Sequence, residues 1–154
     1  MNINKNKTIT EESDKKIYWY IVDAKEYKLG RLGSNIAYLL RNKNSARYLP
    51  YQEGNLKIII INSKQIQITG NKNKQKTYKR HSGRPGGLKQ EVFEKLQKRI
   101  PNRIIEHAIK GMLPKNSLGR KLFKNVKIYP GSIHPHTNQE IIELNLESIK
   151  SKLC

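Results

Sequence analysis

The segment that most constrains this chain is Leu56–Ile61, which ends in four consecutive isoleucines, Ile58 to Ile61. A surface helix spaces its apolar residues three and four apart, and a half-solvated strand alternates them. An unbroken β-branched run does neither. It marks a strand covered on both faces, the setting of a parallel sheet. Parallel strands need long crossovers, usually helical. With 154 residues the chain is about one domain's worth of sequence, so the run points to one small α/β unit.

The surrounding patterns supply the rest. Ile17 to Val22 is rich in β-formers and reads as a first, largely buried strand that Asp23 closes. Leu32, Ile36, Leu39 and Leu40 fall on one helical stripe, with Arg41 and Lys43 at its C-terminal end, where cations suit the dipole. Gln65 to Thr69 alternates Ile66 and Ile68 with polar residues and reads as a short strand ended by Gly70. Residues 70–89 read as a basic loop with a strand near Thr77-Tyr78, because Gly83, Pro85, Gly86 and Gly87 disfavour regular structure. Gln90 to Arg99 reads as a helix with Phe93 and Leu96 on one face. Pro101 opens a second helix with the stripe Ile104, Ile105, Ala108, Ile109 and Met112. Gly111 and Pro114 end it, with Met112 and Leu113 in the core. Ser117 to Lys124 is a short helix, and Val126 to Tyr129 is the last short strand. Strands alternating with helices give an α/β class with a short, mostly parallel central sheet.

Charge decides what such a body can bind. Lys and Arg number 31 against 12 Asp and Glu, a net charge of +19. A small body with that surplus needs a polyanion to neutralise it. Residues 70–89 hold Lys72, Lys74, Lys76, Lys79, Arg80, Arg84 and Lys89 and no acid. Residues 110–127 hold Lys110, Lys115, Arg120, Lys121, Lys124 and Lys127, again with no acid. The positive charge is spread over both halves of the chain, which suits contact with folded RNA on several sides. Cations on loops reach phosphates, and glycines let backbone N–H groups approach them. Tyr48, Tyr51 and Tyr78 lie in basic or turn regions, where they either stack on bases or pack at the domain edge. The absence of finger, zipper and paired-aromatic patterns points to readout of shape and backbone.

Other classes lack their residues. No stretch nears the roughly 18 apolar residues of a membrane span, so no membrane partner is expected. Cys154 is the only cysteine, which excludes internal disulfides and four-cysteine zinc sites. His134-Pro135-His136 with His81 lacks the carboxylate or thiolate partners of a metal site. Those histidines suit contact with RNA or the capping of a turn. There is no nucleophile elbow, no phosphate-binding loop and no dinucleotide fingerprint. Asp14 and Asp23 are the only aspartates, too few for a carboxylate cluster. No enzyme activity, cofactor or small-molecule substrate is therefore expected. The polar N-terminus resembles neither a secretory signal nor a transit peptide, which predicts a protein working where it is made. The 23 Lys, 15 Asn and 20 Ile residues have A/T-rich codons and suit an organelle genome or an A/T-rich bacterium.

Several motifs in order carry a resemblance. They are Trp19-Tyr20-Ile21-Val22-Asp23-Ala24 with Leu29-Gly30-Arg31-Leu32, Thr69-Gly70-Asn71-Lys72, and His81-Ser82-Gly83-Arg84-Pro85-Gly86-Gly87. Then come Ala108 to Pro114 with Leu118-Gly119-Arg120, Lys127 to Gly131, and His134-Pro135-His136. Over roughly residues 17–136 the chain resembles the thirteenth large-subunit ribosomal protein family in its bacterial and organellar form. The resemblance implies a three-layer α/β/α sandwich and a structural role in the large ribosomal subunit. It also implies binding to large-subunit rRNA early in assembly, beside neighbouring large-subunit ribosomal proteins, without catalysis.

The expected RNA-binding set is Lys72, Lys74, Lys76, Lys79, Arg80, His81, Arg84, Lys110, Lys115, Arg120, Lys121, Lys124, His134 and His136. The expected organisation is an N-terminal extension over 1–16, an α/β domain over 17–136 and a tail over 137–154. In the tail, Ile141, Ile142, Leu144, Leu146 and Ile149 form a helix or strand on a neighbouring protein, or a frayed end. The expected location is the ribosome, with a plastid favoured over a bacterial cytoplasm. The competing reading is a free regulatory RNA- or DNA-binding module outside the ribosome.

Overall fold

A computed structural model describes residues 17–45 and 48–146. The expected extension over 1–16 and the tail end from 147, with Ile149 and Cys154, lie outside the described residues. Four strands form one parallel sheet: β1 (Tyr18–Asp23), β2 (Leu56–Ile61), β5 (Val126–Ile128) and β6 (Ile141–Glu143), in the order β5-β2-β1-β6. Helices α1 (Leu29–Leu40), α3 (Phe93–Arg99), α4 (Asn102–Met112) and α5 (Ser117–Lys124) flank it. This is the α/β class with a short parallel central sheet expected from the isoleucine run. Among the described residues no helix is long and apolar enough to cross a membrane.

The register shows how β2 fills its role. Ile58, Ile59 and Ile60 are all fully buried. Tyr20 pairs with Ile58 and Ile58 with Val126; Val22 pairs with Ile60 and Ile60 with Ile128. Paired residues share a face, and Val22, Ile58 and Ile60 join Leu32, Ile36, Ile104, Ile105 and Ile109 in one core. Ala108 and Met112 of α4 lie against Gly33 of α1. Ile59 points the other way with its partner Ile21, on the face that also carries Trp19, against which His136 packs at 4.9 Å. The chain between β5 and β6 thus runs over this second face.

The C-terminal ends of the strands are tied by polar groups. Asp23 accepts from Lys25 N at 2.9 Å and from Asn62 Nδ2 at 2.8 Å. Ser63, the one buried polar residue among those described, donates its hydroxyl to Asn102 Oδ1, and Asn102 Nδ2 donates to Ile128 O. A buried hydroxyl without that partner would cost roughly 1–3 kcal/mol.

Several expectations are corrected. β1 is half-solvated, with only Val22 buried, because β6 and the second face cover it incompletely. Gln65–Thr69 is not a strand: a 3₁₀ turn occupies Ser63–Gln65, and a single bridge joins Lys28 to Gln67. Ile66 is buried there without a ladder. Met112 is 43 % exposed, although Leu113 is buried. β5 is not the last strand: the described part of the tail adds an edge strand to this chain's own sheet. Ile141, Ile142 and Glu143 pair with Trp19, Tyr20 and Ile21. Leu146 is fully buried, its N–H donating to the hydroxyl of Tyr27.

Candidate nucleic-acid interface

Residues 70–92 depart most from the expected loop, although a strand does run through Thr77 and Tyr78 as expected. After α2 (Lys72–Gln75), strands β3 (Thr77–His81) and β4 (Leu88–Val92) pair antiparallel from Thr77–Val92 to His81–Leu88. Gln90 to Val92, expected in the following helix, belong to β4. Phe93 decides where the helix starts: it is fully buried, and its N–H donates to Lys76 O at 2.8 Å, fixing the foot of the hairpin. The tip works because Gly83 and Gly86 take φ of +88° and +72°, which other residues rarely adopt. Gly83 N donates to His81 Nδ1 at 2.9 Å, and Gly87 N to Arg84 O at 2.9 Å. His81 therefore caps the turn.

The hairpin is an arm with little buried surface. Of its ten strand residues only Tyr78 and Glu91 are even half-buried. Lys79, Arg80, His81, Arg84 and Lys89 are exposed. Burial raises the pKa of the Tyr78 phenol, keeping it neutral. Two of the acids nearby are engaged: Glu91 with Arg99 at 2.6 Å, and Glu94 with Lys98 at 2.8 Å.

The second expected group stands on α4 and α5. Asn116 caps α5 by accepting from Gly119 N. Gly119 sits so close under the carbonyl of Pro114 that a Cβ would collide with backbone. This packs the loop before α5 tightly and leaves Lys115, Arg120, Lys121 and Lys124 exposed. Lys121 is bonded to Glu53 at 3.1 Å.

Between arm and helices lies an open groove of about 500 Å³. It brings Lys79 and Arg80 of the arm together with Lys110 of α4. Lys74 lines a separate depression beside Lys98, and Lys72 and Lys76 line a third beside Met112. Lys76 Nζ lies 5.4 Å from the Tyr78 ring centroid. His134 and His136 do not join the groove. They stand in an aromatic cluster with Trp19 and Tyr129, where the Tyr129 hydroxyl is 2.9 Å from His136 Nε2. Lys57 Nζ lies over the other ring system of that cluster, 4.7 Å from the Trp19 centroid. Among the described residues no group of three or more His, Cys, Asp or Glu could hold a metal.

Sequence reasoning missed Arg103 and His107, which line the groove with Lys110. The signal was present: positions 103, 107 and 110 recur at four and three, a polar stripe behind the apolar one. Lys89, Arg99 and Phe123 also line it; only the hairpin and the packing of α5 bring them there.

Comparisons with known proteins agree over most of the chain. The family model described as Ribosomal protein L13 matches residues 17–135. Large ribosomal subunit protein uL13 of Nostoc sp. is 55% identical over 131 residues, 85% of this chain and 87% of the relative. The protein of the same name from Crocosphaera subtropica is 54% identical over 146 residues, 93% of this chain and 95% of the relative. That of Microchaete diplosiphon is 56% identical over 131 residues, 85% and 87% of the two chains.

Proposed function

The chain belongs to the ribosomal protein L13 family, and from that premise we propose that it is a structural constituent of the large ribosomal subunit. It binds large-subunit rRNA, supports early subunit assembly and performs no catalysis. The observation that carries this reading is the identity of about 55% over most of the chain to proteins named for that subunit. The physical features fit it. A rigid sheet-and-helix body presents an exposed cationic arm and a cationic α5, and together they can neutralise phosphates of separate RNA segments and fix their relative positions.

Of the expected contact residues, Lys79, Arg80, Arg84, Lys110, Lys115, Arg120 and Lys124 carry exposed charge near the arm, the groove and α5. Lys72, Lys74 and Lys76 extend that surface around the foot of the arm. His81 acts through the turn it caps. Lys121 contributes less because Glu53 neutralises it. His134 and His136 form a second, aromatic contact surface.

The ribosome carrying the protein is a plastid ribosome. The matched relatives are cyanobacterial, and the Lys, Asn and Ile usage fits an A/T-rich organelle genome. Its neighbours there are rRNA and other large-subunit proteins.

A sucrose gradient of lysate tests the reading. The chain is expected to co-sediment with large subunits and to stay with them through moderate salt. Recovery only from the soluble top fractions would sink it and favour a free regulatory binder.

A further inference from the structure

The groove between arm and helices has a composition that phosphate clamping alone does not require. Cations outnumber acids in its lining: Arg80 and Lys89 are cross-strand neighbours on the arm, and Arg103 and Lys110 stand on α4 with Glu106 between them in sequence. Glu91 is neutralised by Arg99. Rings line it as well. Tyr78 meets His107 edge-on, with ring centroids 5.4 Å apart and planes at 89°, and Phe123 lines the same space. His107 is exposed and Phe123 is half-buried.

An RNA duplex presents phosphates and 2′-hydroxyls to a protein while its bases stay stacked inside. A surface that met only duplex backbone would need the cations and not the rings. Rings beside cations match the two halves of a single nucleotide, an unstacked base and its phosphate. The groove's volume of about 500 Å³ falls in the range of roughly 300–1,000 Å³ typical of small-ligand sites.

We infer that this groove receives one unstacked nucleotide of the bound RNA, its base against His107 and Phe123 and its phosphate on Arg80, Arg103 and Lys110. The inference rests on the reading that the partner is large-subunit rRNA. In this arrangement His107 contributes a stacking surface, so its loss acts on the base and leaves the cationic phosphate contacts in place.

The test uses the full chain and cyanobacterial large-subunit rRNA carrying thiouridine and thioguanosine. Photocrosslinks are expected on the peptides that hold Tyr78, His107 or Phe123. The substitution His107→Ala, at an exposed helical position, is expected to weaken binding roughly 5- to 100-fold, as loss of one stacked base does. The slope of affinity against salt stays unchanged, circular dichroism stays unchanged, and His107→Phe restores the affinity. Wild-type affinity in His107→Ala, or crosslinks confined to other surfaces, overturns the inference and leaves rRNA binding standing. Absence of any rRNA binding overturns both. A parallel titration with AMP, GMP, CMP and UMP separates the two sources of such a ligand. Weak or no binding is expected, and saturation of the groove by a free nucleotide that RNA cannot displace overturns the RNA source.

Discussion

In β2 the side chains of Ile58, Ile59 and Ile60 are fully buried, whereas in the β3–β4 arm only Tyr78 and Glu91 are as much as half-buried. Both regions are regular β-structure. The body is ordered by apolar area removed from water. The arm is ordered by its backbone ladder, its glycine turn and two anchors, Phe93, which is itself part of the body's core, and Tyr78, which packs against it. A region held without side-chain burial can devote its side chains to another purpose, and here they are cations. The arm should therefore lose its charges without losing its shape, and the body should lose stability when single methyl groups are removed.

The largest expected effect tests the second half of that contrast. Ile60→Ala removes a fully buried side chain between the sheet and the helices and should cost about 2–5 kcal/mol of stability. The measurement is a lower urea midpoint at unchanged slope. A cost under about 1 kcal/mol would mean that the core relaxes around the gap and that burial is not what orders the body.

The first half is tested by replacing Lys79, Arg80 and Arg84 together with Gln. All three are exposed, so stability should stay within about 0.5 kcal/mol. RNA affinity should fall, and the salt slope should shrink by up to about three counterions. An unchanged slope would place the arm away from phosphate. A large loss of stability would show that the arm is not independent of its charges.

What could be read from the residues follows the same division. The isoleucine run and the α1 and α4 stripes were legible because burial imposes a pattern on sequence, and with the Ser117–Lys124 helix they stand where expected, save that Met112 of the α4 stripe is exposed. The arm was not legible as a hairpin. Its strands alternate nothing: both faces are solvated, so Thr77 to His81 and Leu88 to Val92 carry no hydrophobic period. Its glycines were read as breakers when they are the turn. β6 was missed for a related reason. Ile141 and Ile142 are apolar, but a three-residue edge strand at the end of a long crossover has no local pattern to distinguish it from a tail. The cations of the site were legible as composition, and their grouping around one groove was not, because the groove joins residues from 78 to 123 through tertiary packing.

A smaller effect is expected at the turn. Gly86 has φ of +72° with open space where a Cβ would stand, so Gly86→Ala adds backbone strain without a clash, about 1–2 kcal/mol. Because the arm buries little, that strain should be released locally. Amides of β3 and β4 should exchange faster while those of β2 stay protected. Equal acceleration in both strands and β2 would show that the arm and body unfold as one unit.

The smallest effect belongs to the ion pair at the foot of the arm. The hydrogen bond from Lys98, and then its charge, holds the Glu94 carboxyl below its usual pKa. A depressed carboxylate pKa contributes stability that is present above the unfolded value and is lost as pH falls through the folded one. Both side chains are largely exposed, 77% and 53%, so water and salt screen the pair heavily. Glu94→Gln should therefore lower the melting temperature only slightly at neutral pH and low salt. The gap should close in high salt and again at pH below the carboxylate range, where wild-type Glu94 is itself neutral. A gap that persisted in acid would show that Glu94 acts by packing and not by charge, and the foot of the arm would then belong with the buried body.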